Sequence, residues 1–155
     1  IQIRFTDKAV MGTADCFICE ADLYISDLSI FDAELSRSCY YGKMVPGFSD
    51  EWVFDWDGER ITRVGKEGTD RYNMVGVSYF KKADAAVIRD AIDAAYEKPG
   101  YEGLYWDEIV DRQLDKLNLD IHPVEKEQIV EIDSVAELAV IDESYREVLE
   151  KMQAE

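Results

Sequence analysis

YNMVGVSYFKKADAAVIRDAIDAAYE, residues 72–97, contains the transition that decides the fold. Its first nine residues predict a strand over 72–80, in which Val75, Val77 and Tyr79 alternate with Gly76 and Ser78 and form one apolar face. Residues 83–97 then change to helical spacing, and this predicted helix ends before Pro99-Gly100. A strand followed directly by an amphipathic helix is typical of α/β proteins.

The flanking segments predict further alternation of strands and helices. Asp57-Gly58 lies between apolar runs at 51–55 and 60–64 and predicts a β-hairpin. Other predicted strands cover 15–20, 38–43 (ended by a loop at Pro46-Gly47), 119–124 and 128–132, and other helices cover 29–36, 104–117 and 134–152. We therefore expect one α/β domain over residues 1–155, with a mixed sheet and an inserted hairpin.

Charge excludes several classes of partner. The chain has 34 Asp and Glu against 17 Lys and Arg, so its net charge is −17. This charge repels the phosphates of nucleic acids and of anionic membrane surfaces, so neither is an expected partner. No apolar run approaches the roughly 20 residues of a membrane helix, and we expect a cytoplasmic protein.

Three cysteines are too few for a disulfide framework. Cys16 and Cys19 form a C-x-x-C pattern, for which redox or zinc chemistry is the alternative interpretation. Positions three apart on a strand point to opposite faces, so buried thiols on a buried strand at 15–20 are the better interpretation.

Two pairs of acids could bind a metal ion. Glu20 and Asp22 lie at the end of the first predicted strand, and Glu131 and Asp133 lie at the end of the last one. Alternate residues of a strand share a face, and carboxylate oxygens are the ligands that Mg²⁺ prefers. Both pairs could surround one ion only if their strands are neighbours. The alternative is solvated acids, with Asp133 assisting the helix cap at Ser134.

Aromatic residues beside acids form a third candidate site. Aromatic faces attract cations such as quaternary ammonium groups. Trp52, Tyr105 and Asp107 are expected to face a pocket, whereas Trp106 falls on the apolar stripe of its helix and is expected in the core. Lys43 and Lys66 could reach a phosphate but are interpreted as surface lysines, and His122 as a structural histidine.

Read in order, five stretches resemble the bacterial CTP:phosphocholine cytidylyltransferases of the nucleotidyltransferase superfamily. They are Cys19-Glu20-Ala21-Asp22-Leu23, Asp50-Glu51-Trp52-Val53-Phe54, residues 74–80, residues 104–110 and Val130-Glu131-Ile132-Asp133-Ser134. The resemblance implies a Rossmann-like nucleotidyltransferase fold. It also implies a Mg²⁺-dependent transfer of CMP from CTP to phosphocholine, giving CDP-choline and pyrophosphate.

The resemblance also implies residue roles. Asp22 and Asp133 match the metal-binding, catalytic aspartates. Trp52, Tyr105 and Asp107 match positions that hold the choline headgroup, and Glu131 is expected beside it.

The family's Gly-x-Gly-x-Arg loop has no counterpart in this sequence. We therefore expect the N-terminal strand, loop and helix to be missing, the isolated chain to be inactive, and dimerisation through an exposed sheet edge. Two alternatives stay open. One is a nucleotidyltransferase acting on a sugar phosphate or a phosphonate, and the other is a non-catalytic acidic binding domain or inactive fragment.

Overall fold

The computed structural model describes residues 10–153. Within this range the chain forms six strands: β1 Cys16–Cys19, β2 Leu23–Ile25, β3 Cys39–Trp56, β4 Ile61–Phe80, β5 Asp120–Pro123 and β6 Ile129–Glu131. The α-helices are α1 Lys82–Tyr96, α2 Trp106–Asp111, α3 Val135–Ile141 and α4 Arg146–Gln153, and short 3-10 helices cover Leu28–Phe31, Tyr101–Gly103 and Glu143–Tyr145. The prediction that residues 1–13 lack the family's first strand and loop falls mostly outside the described residues.

Two sheets organise these strands. The larger has the order β1-β4-β3-β5, with β3 and β5 parallel and the other neighbours antiparallel. The smaller pairs β2 with β6 in antiparallel register. The predicted mixed α/β sheet is therefore confirmed. In the part of the chain described, β1 and β5 are the edges of the larger sheet, and dimerisation through such an edge stays a prediction.

The hairpin between β3 and β4 is more elaborate than a simple ribbon. Asp57 and Gly58 make the turn, and the Asp57 carboxylate accepts the backbone N–H of Arg60 at 2.9 Å. Strand β4 then contacts both edges of β3, so that Val53 pairs with Gly65 on one side and with Asn73 on the other. The residues after the turn consequently form an additional arm beside Trp52.

Pro46-Gly47 does not end β3, contrary to the prediction of a loop. Pairing jumps from Val45 with Arg71 to Phe48 with Thr69, so the two residues lie in a β-bulge. A bulge tolerates proline because no ladder hydrogen bond is required from its nitrogen. The Gly47 N–H instead donates to the Asp70 carboxylate at 2.7 Å.

Both faces of the larger sheet are covered. On one face α1 and α2 pack against the sheet, and the buried contacts include Tyr40, Phe54, Phe80, Ile88 and Val110. On the other face Val75 and Val77 pack with Ile30, Tyr41 and Ile129, beside the smaller sheet. The alternating pattern of 72–80 is thus explained, because successive residues of β4 enter different cores.

Several further segments differ from the predictions. The helix predicted at 104–117 covers only Trp106–Asp111 and continues as turns. The helix predicted at 29–36 is only the 3-10 turn Leu28–Phe31. The last predicted helix is interrupted at Asp142, which is extended and accepts the backbone N–H of Ser144 at 3.0 Å, starting a new turn. Strand β1 is not buried as predicted, because it lies at a sheet edge, and Cys19 is exposed. All three cysteines are free.

The length of the helices bears on membrane association. Among residues 10–153, no helix is both long enough and apolar enough to cross a membrane.

Candidate active site

The pairing of β2 with β6 brings the two acid pairs together. Leu23 pairs with Glu131, and the Ile132 N–H donates to the Asp22 carbonyl at 2.8 Å. The strands are therefore neighbours, which is the condition for acids of both segments to share one ion. Glu20 and Asp22 lie in the turn before β2 and not on a strand as predicted.

Three acids form the group that we call the carboxylate cluster: Glu20, Asp22 and Glu131. One carboxylate oxygen from each lies within 4.8 Å of the others. The Asp22 Oδ1 atom is buried and has no hydrogen-bond partner among the described residues. A buried carboxylate oxygen without a partner is costly, and oxygen ligands at this spacing fit a hard divalent cation.

The electrostatics of the cluster agree with a cation site. Partial burial raises the pKa of Glu20, and the charge of Asp22 raises it further. Partial burial likewise raises the pKa of Glu131, with contributions from the charges of Asp133 and Glu20. A bound cation would reverse both shifts, because it favours the ionised form of each acid.

Asp133 is not a member of the carboxylate cluster in the part of the chain described. Its backbone N–H donates to Glu137 at 2.9 Å, next to the Ser134 cap of α3. Glu20 instead completes the cluster. The sequence contained a signal for Glu20, because it is two residues from Asp22.

A small cavity borders the cluster. It has a volume of about 170 Å³, and we call it the acidic cavity. Its lining residues are Glu20, Lys43, Glu51, Trp52, Asn73, Met74, Gly76 and Glu131. With three glutamates and one lysine the lining is mostly anionic, and Trp52 contributes an aromatic wall.

Gly76 determines how closely Glu20 approaches the sheet. Its φ is +73°, and a Cβ there would lie 2.7 Å from the Glu20 Oε2 atom and 3.0 Å from the Leu23 side chain. The Glu20 N–H also donates to the Gly76 carbonyl at 2.9 Å. Glycine is required here for both its backbone conformation and its lack of a side chain.

We expect Gly76→Ala to disrupt the carboxylate cluster. The matched control is Gly47→Ala, since Gly47 has a φ of +83° but a Cβ there would meet no atom within 4 Å. Left-handed strain should cost each variant roughly 1 kcal/mol of stability. The clash at Gly76 is with the ends of the Glu20 and Leu23 side chains, so its main effect should be to displace the Glu20 carboxylate and weaken Mn²⁺ binding in Gly76→Ala alone. Urea unfolding measures the stability and Mn²⁺ titration measures the affinity, and an equal Mn²⁺ affinity in the two variants would contradict this role of Gly76.

The structure brings the Trp52 and Tyr105 rings into contact. Their ring centroids are 5.5 Å apart with an interplanar angle of 67°. They border a second cavity of about 530 Å³, the aromatic cavity. Its remaining lining residues are Arg63, Val64, Gly65, Lys66, Gly103, Glu108, Asp111 and Arg112. Trp52 thus lines both the acidic cavity and the aromatic cavity.

Asp107 is placed differently from Trp52 and Tyr105. It is only 3% exposed, and it accepts a hydrogen bond from the Tyr40 hydroxyl at 2.9 Å. Burial raises the pKa of Asp107 to about 7, against the opposing effect of the Tyr40 hydrogen bond. Asp107 lines neither the acidic cavity nor the aromatic cavity, so the structure does not place it at a pocket beside Trp52 and Tyr105.

Similar proteins connect this geometry with an activity. No protein-family model matches the chain. A 2-aminoethylphosphonate cytidylyltransferase from Lancefieldella rimae is 51% identical over 137 residues, which are 88% of this chain and 56% of that protein. The choline-phosphate cytidylyltransferase of Streptococcus pneumoniae is 27% identical over 131 residues, covering 84% of this chain and 57% of that protein.

The homologues of this chain are cytidylyltransferases. The solved structure of the CTP:phosphocholine cytidylyltransferase from Streptococcus pneumoniae superposes with a TM-score of 0.70 at 26% identity, covering 84% of this chain and 57% of that one. A nucleoside-diphosphate-sugar pyrophosphorylase from Vibrio cholerae, with a TM-score of 0.56 at 17% identity, shares the fold (82% of this chain, 55% of that one).

These comparisons confirm the predicted nucleotidyltransferase fold and the resemblance to cytidylyltransferases. The chain spans just over half the length of the cytidylyltransferases that it matches.

Proposed function

We propose that this chain carries the metal and acceptor sites of a CTP-dependent cytidylyltransferase whose acceptor is 2-aminoethylphosphonate. The observation that carries the proposal is the carboxylate cluster beside the acidic cavity. An aminophosphonate has an anionic end that needs a metal ion and a cationic end that needs acids. The carboxylate cluster and the acidic cavity support a site for both ends within one region of the protein.

The anionic end of the acceptor would bind at the Asp22 side of the cluster. We propose that Asp22, Glu20 and Glu131 hold a divalent cation, with Mg²⁺ as the physiological ion and Asp133 as a further ligand when substrates are bound. The cation supplies charge neutralisation for phosphates that would otherwise repel the acids and each other. The buried Asp22 Oδ1 atom supports this assignment.

The cationic end of the acceptor would lie in the acidic cavity. Glu20 and Glu131 line this cavity but are assigned to the metal ion, so the remaining acceptors are the Glu51 carboxylate and the buried Asn73 Oδ1 atom, which has no hydrogen-bond partner among the described residues. A primary ammonium has three N–H donors and can donate to both acceptors beside Trp52. A quaternary ammonium has no N–H donor and gains mainly from aromatic faces.

The reaction itself needs no protein nucleophile. A phosphonate oxygen of the acceptor attacks the α-phosphorus of CTP, so a new P–O–P linkage forms. The bond between the α-phosphorus and the bridging oxygen to the β-phosphate breaks, and pyrophosphate leaves with its electron pair. The protein residues act by holding the acceptor in line and by binding the cation, which is the usual division of work in phosphoryl-type transfer.

Phosphocholine is the second candidate acceptor. The Trp52–Tyr105 pair favours it, as does the similarity to the pneumococcal enzyme. In that case Tyr105 would contact the headgroup, and Asp107 would support the pocket from its buried position.

An acceptor comparison tests the proposal. The protein as encoded by its gene is incubated with CTP and Mg²⁺ and either 2-aminoethylphosphonate, phosphocholine or glucose 1-phosphate, and the products are followed by ³¹P NMR. We expect the highest kcat/KM with 2-aminoethylphosphonate. A preference for glucose 1-phosphate, or no transfer to any acceptor, would refute the proposal, and a preference for phosphocholine would favour the second candidate.

A further inference from the structure

The corner between the Trp52 and Tyr105 rings already contains a cation. The Lys66 Nζ atom lies 5.9 Å from the Trp52 ring centroid and 5.6 Å from the Tyr105 ring centroid. Both distances are within the range of a cation–π interaction. The chain's own ammonium therefore occupies the place where two aromatic faces would receive the headgroup of a cationic ligand.

The backbone around Lys66 is fixed from two sides. Lys66 is the cross-strand partner of Trp52, and its carbonyl accepts a hydrogen bond from Arg63 Nη1 at 3.2 Å. The neighbouring Val64 N–H donates to the Asp111 carboxylate at 2.7 Å, which ties the same arm of β4 to the end of α2. The arm is thus tied to the C-terminal end of α2, the helix that Tyr105 caps at its other end, and the Lys66 Nζ atom lies beside both rings.

The charges around the aromatic cavity act against a second cation. Arg63 and Arg112 line the cavity together with Lys66. Its two acids already accept backbone hydrogen bonds, Glu108 from Tyr105 and Asp111 from Val64. A quaternary ammonium entering this corner would have to displace Lys66, because both cations would need the same two aromatic faces.

We propose that Lys66 is a specificity-determining residue that closes the aromatic corner to quaternary ammonium acceptors. The acceptor's amine is then directed to the acidic cavity on the other side of Trp52, where a primary ammonium is favoured. This inference deepens the proposed function and rests on it for the identity of the acceptor. The closure of the corner itself can be measured without any turnover.

Lys66→Met tests the closure, because methionine removes the charge and keeps an unbranched side chain. Lys66→Arg keeps the cation, and Lys151→Met on the exposed part of α4 is the control for loss of one positive charge. Tetramethylammonium is titrated into each variant, and the indole N–H signal of Trp52 is followed by ¹⁵N NMR. The signal is assigned from a Trp52→Phe spectrum.

We expect Lys66→Met to bind tetramethylammonium roughly tenfold more tightly than the wild type, with Lys66→Arg and Lys151→Met unchanged. Adding Trp52→Ala to Lys66→Met, with the Tyr105 ring signals as the readout, should remove the gain. In turnover, Lys66→Met should raise kcat/KM for phosphocholine by a similar factor and leave that for 2-aminoethylphosphonate unchanged.

Two results would overturn the inference. One is an unchanged tetramethylammonium affinity in Lys66→Met, and the other is an equal gain in the Lys151→Met control. Absence of CMP transfer to any acceptor would refute the proposed function but not the closure, because the titration decides the closure independently of activity.

Discussion

The Asp22→Asn variant is expected to lose roughly 10³-fold in the rate of CMP transfer. A metal ion contributes several kcal/mol of charge stabilisation to such a reaction, and about 1.4 kcal/mol corresponds to a factor of ten. Asn keeps the shape of Asp22 but removes the charge of a carboxylate whose buried Oδ1 atom has no partner among the described residues. The measurement is pyrophosphate release from CTP with saturating acceptor and varied Mg²⁺.

Asp115→Asn is the control for this variant, since Asp115 is exposed and outside both cavities. It should retain wild-type turnover. If Asp22→Asn kept its activity with an unchanged Mg²⁺ dependence, Asp22 would not be a metal ligand. If a higher Mg²⁺ concentration partly restored the activity of Asp22→Asn, this result would support the assignment most specifically.

Asp107→Asn is expected to stabilise the fold above neutral pH. Burial raises the pKa of Asp107 to about 7, well above its ordinary value of 3.8. The folded state therefore binds a proton that the unfolded state has lost, and stability falls as pH rises from about 4 to about 7. Above that range the folded protein carries a buried, ionised carboxylate, which Asn at this position avoids.

The size of the effect follows from the shift. At about 1.4 kcal/mol for each pKa unit, Asp107→Asn should gain at most roughly 4 kcal/mol at pH 8 and little at pH 4. Urea unfolding at both pH values measures it, with Asp115→Asn as the control. Destabilisation of Asp107→Asn at pH 8 would contradict this account and indicate that the ionised form of Asp107 is needed.

The same variant tests the predicted role of Asp107 in acceptor binding. The sequence places Asp107 beside Tyr105 and Trp106 at a helix start, and it predicts that Trp106 enters the core and that Asp107 faces a pocket. In the structure both Trp106 and Asp107 are buried, and Tyr105 remains 40% exposed. An unchanged KM for the acceptor in Asp107→Asn would indicate that Asp107 supports the pocket and does not contact the acceptor.

The regular parts of the fold could be predicted because their signals are local. The alternation of 72–80, the Asp57-Gly58 turn and the helix that became α1 each depend on neighbours in sequence. The prediction of a loop at Pro46-Gly47 was wrong because a bulge accommodates both residues inside a strand. A bulge depends on the partner strand, which the local sequence does not specify. The helix breaks at Asp142 because the Asp142 side chain caps a new turn. This local hydrogen bond competes with continuation of the helix, and the sequence pattern does not show which of the two wins.

The candidate site was predictable only in part for the same reason. Sequence reasoning identified the acids at 20–22 and 131–133, but the pairing of β2 with β6 is a long-range contact that no local pattern specifies. Which acids meet is decided by that register, and it selects Glu131 and not Asp133. The position of the Lys66 ammonium beside two rings likewise depends on the arm of β4 that turns back along β3.

The most direct test of the account is a count of tightly bound Mn²⁺ by electron paramagnetic resonance, with 2-aminoethylphosphonate present. The central claim is that acids from the turn before β2 and from β6 hold one ion together. We expect one tight ion in the wild type and in Asp115→Asn, and its loss in both Asp22→Asn and Glu131→Gln. Unchanged tight binding in Asp22→Asn and Glu131→Gln would contradict the claim.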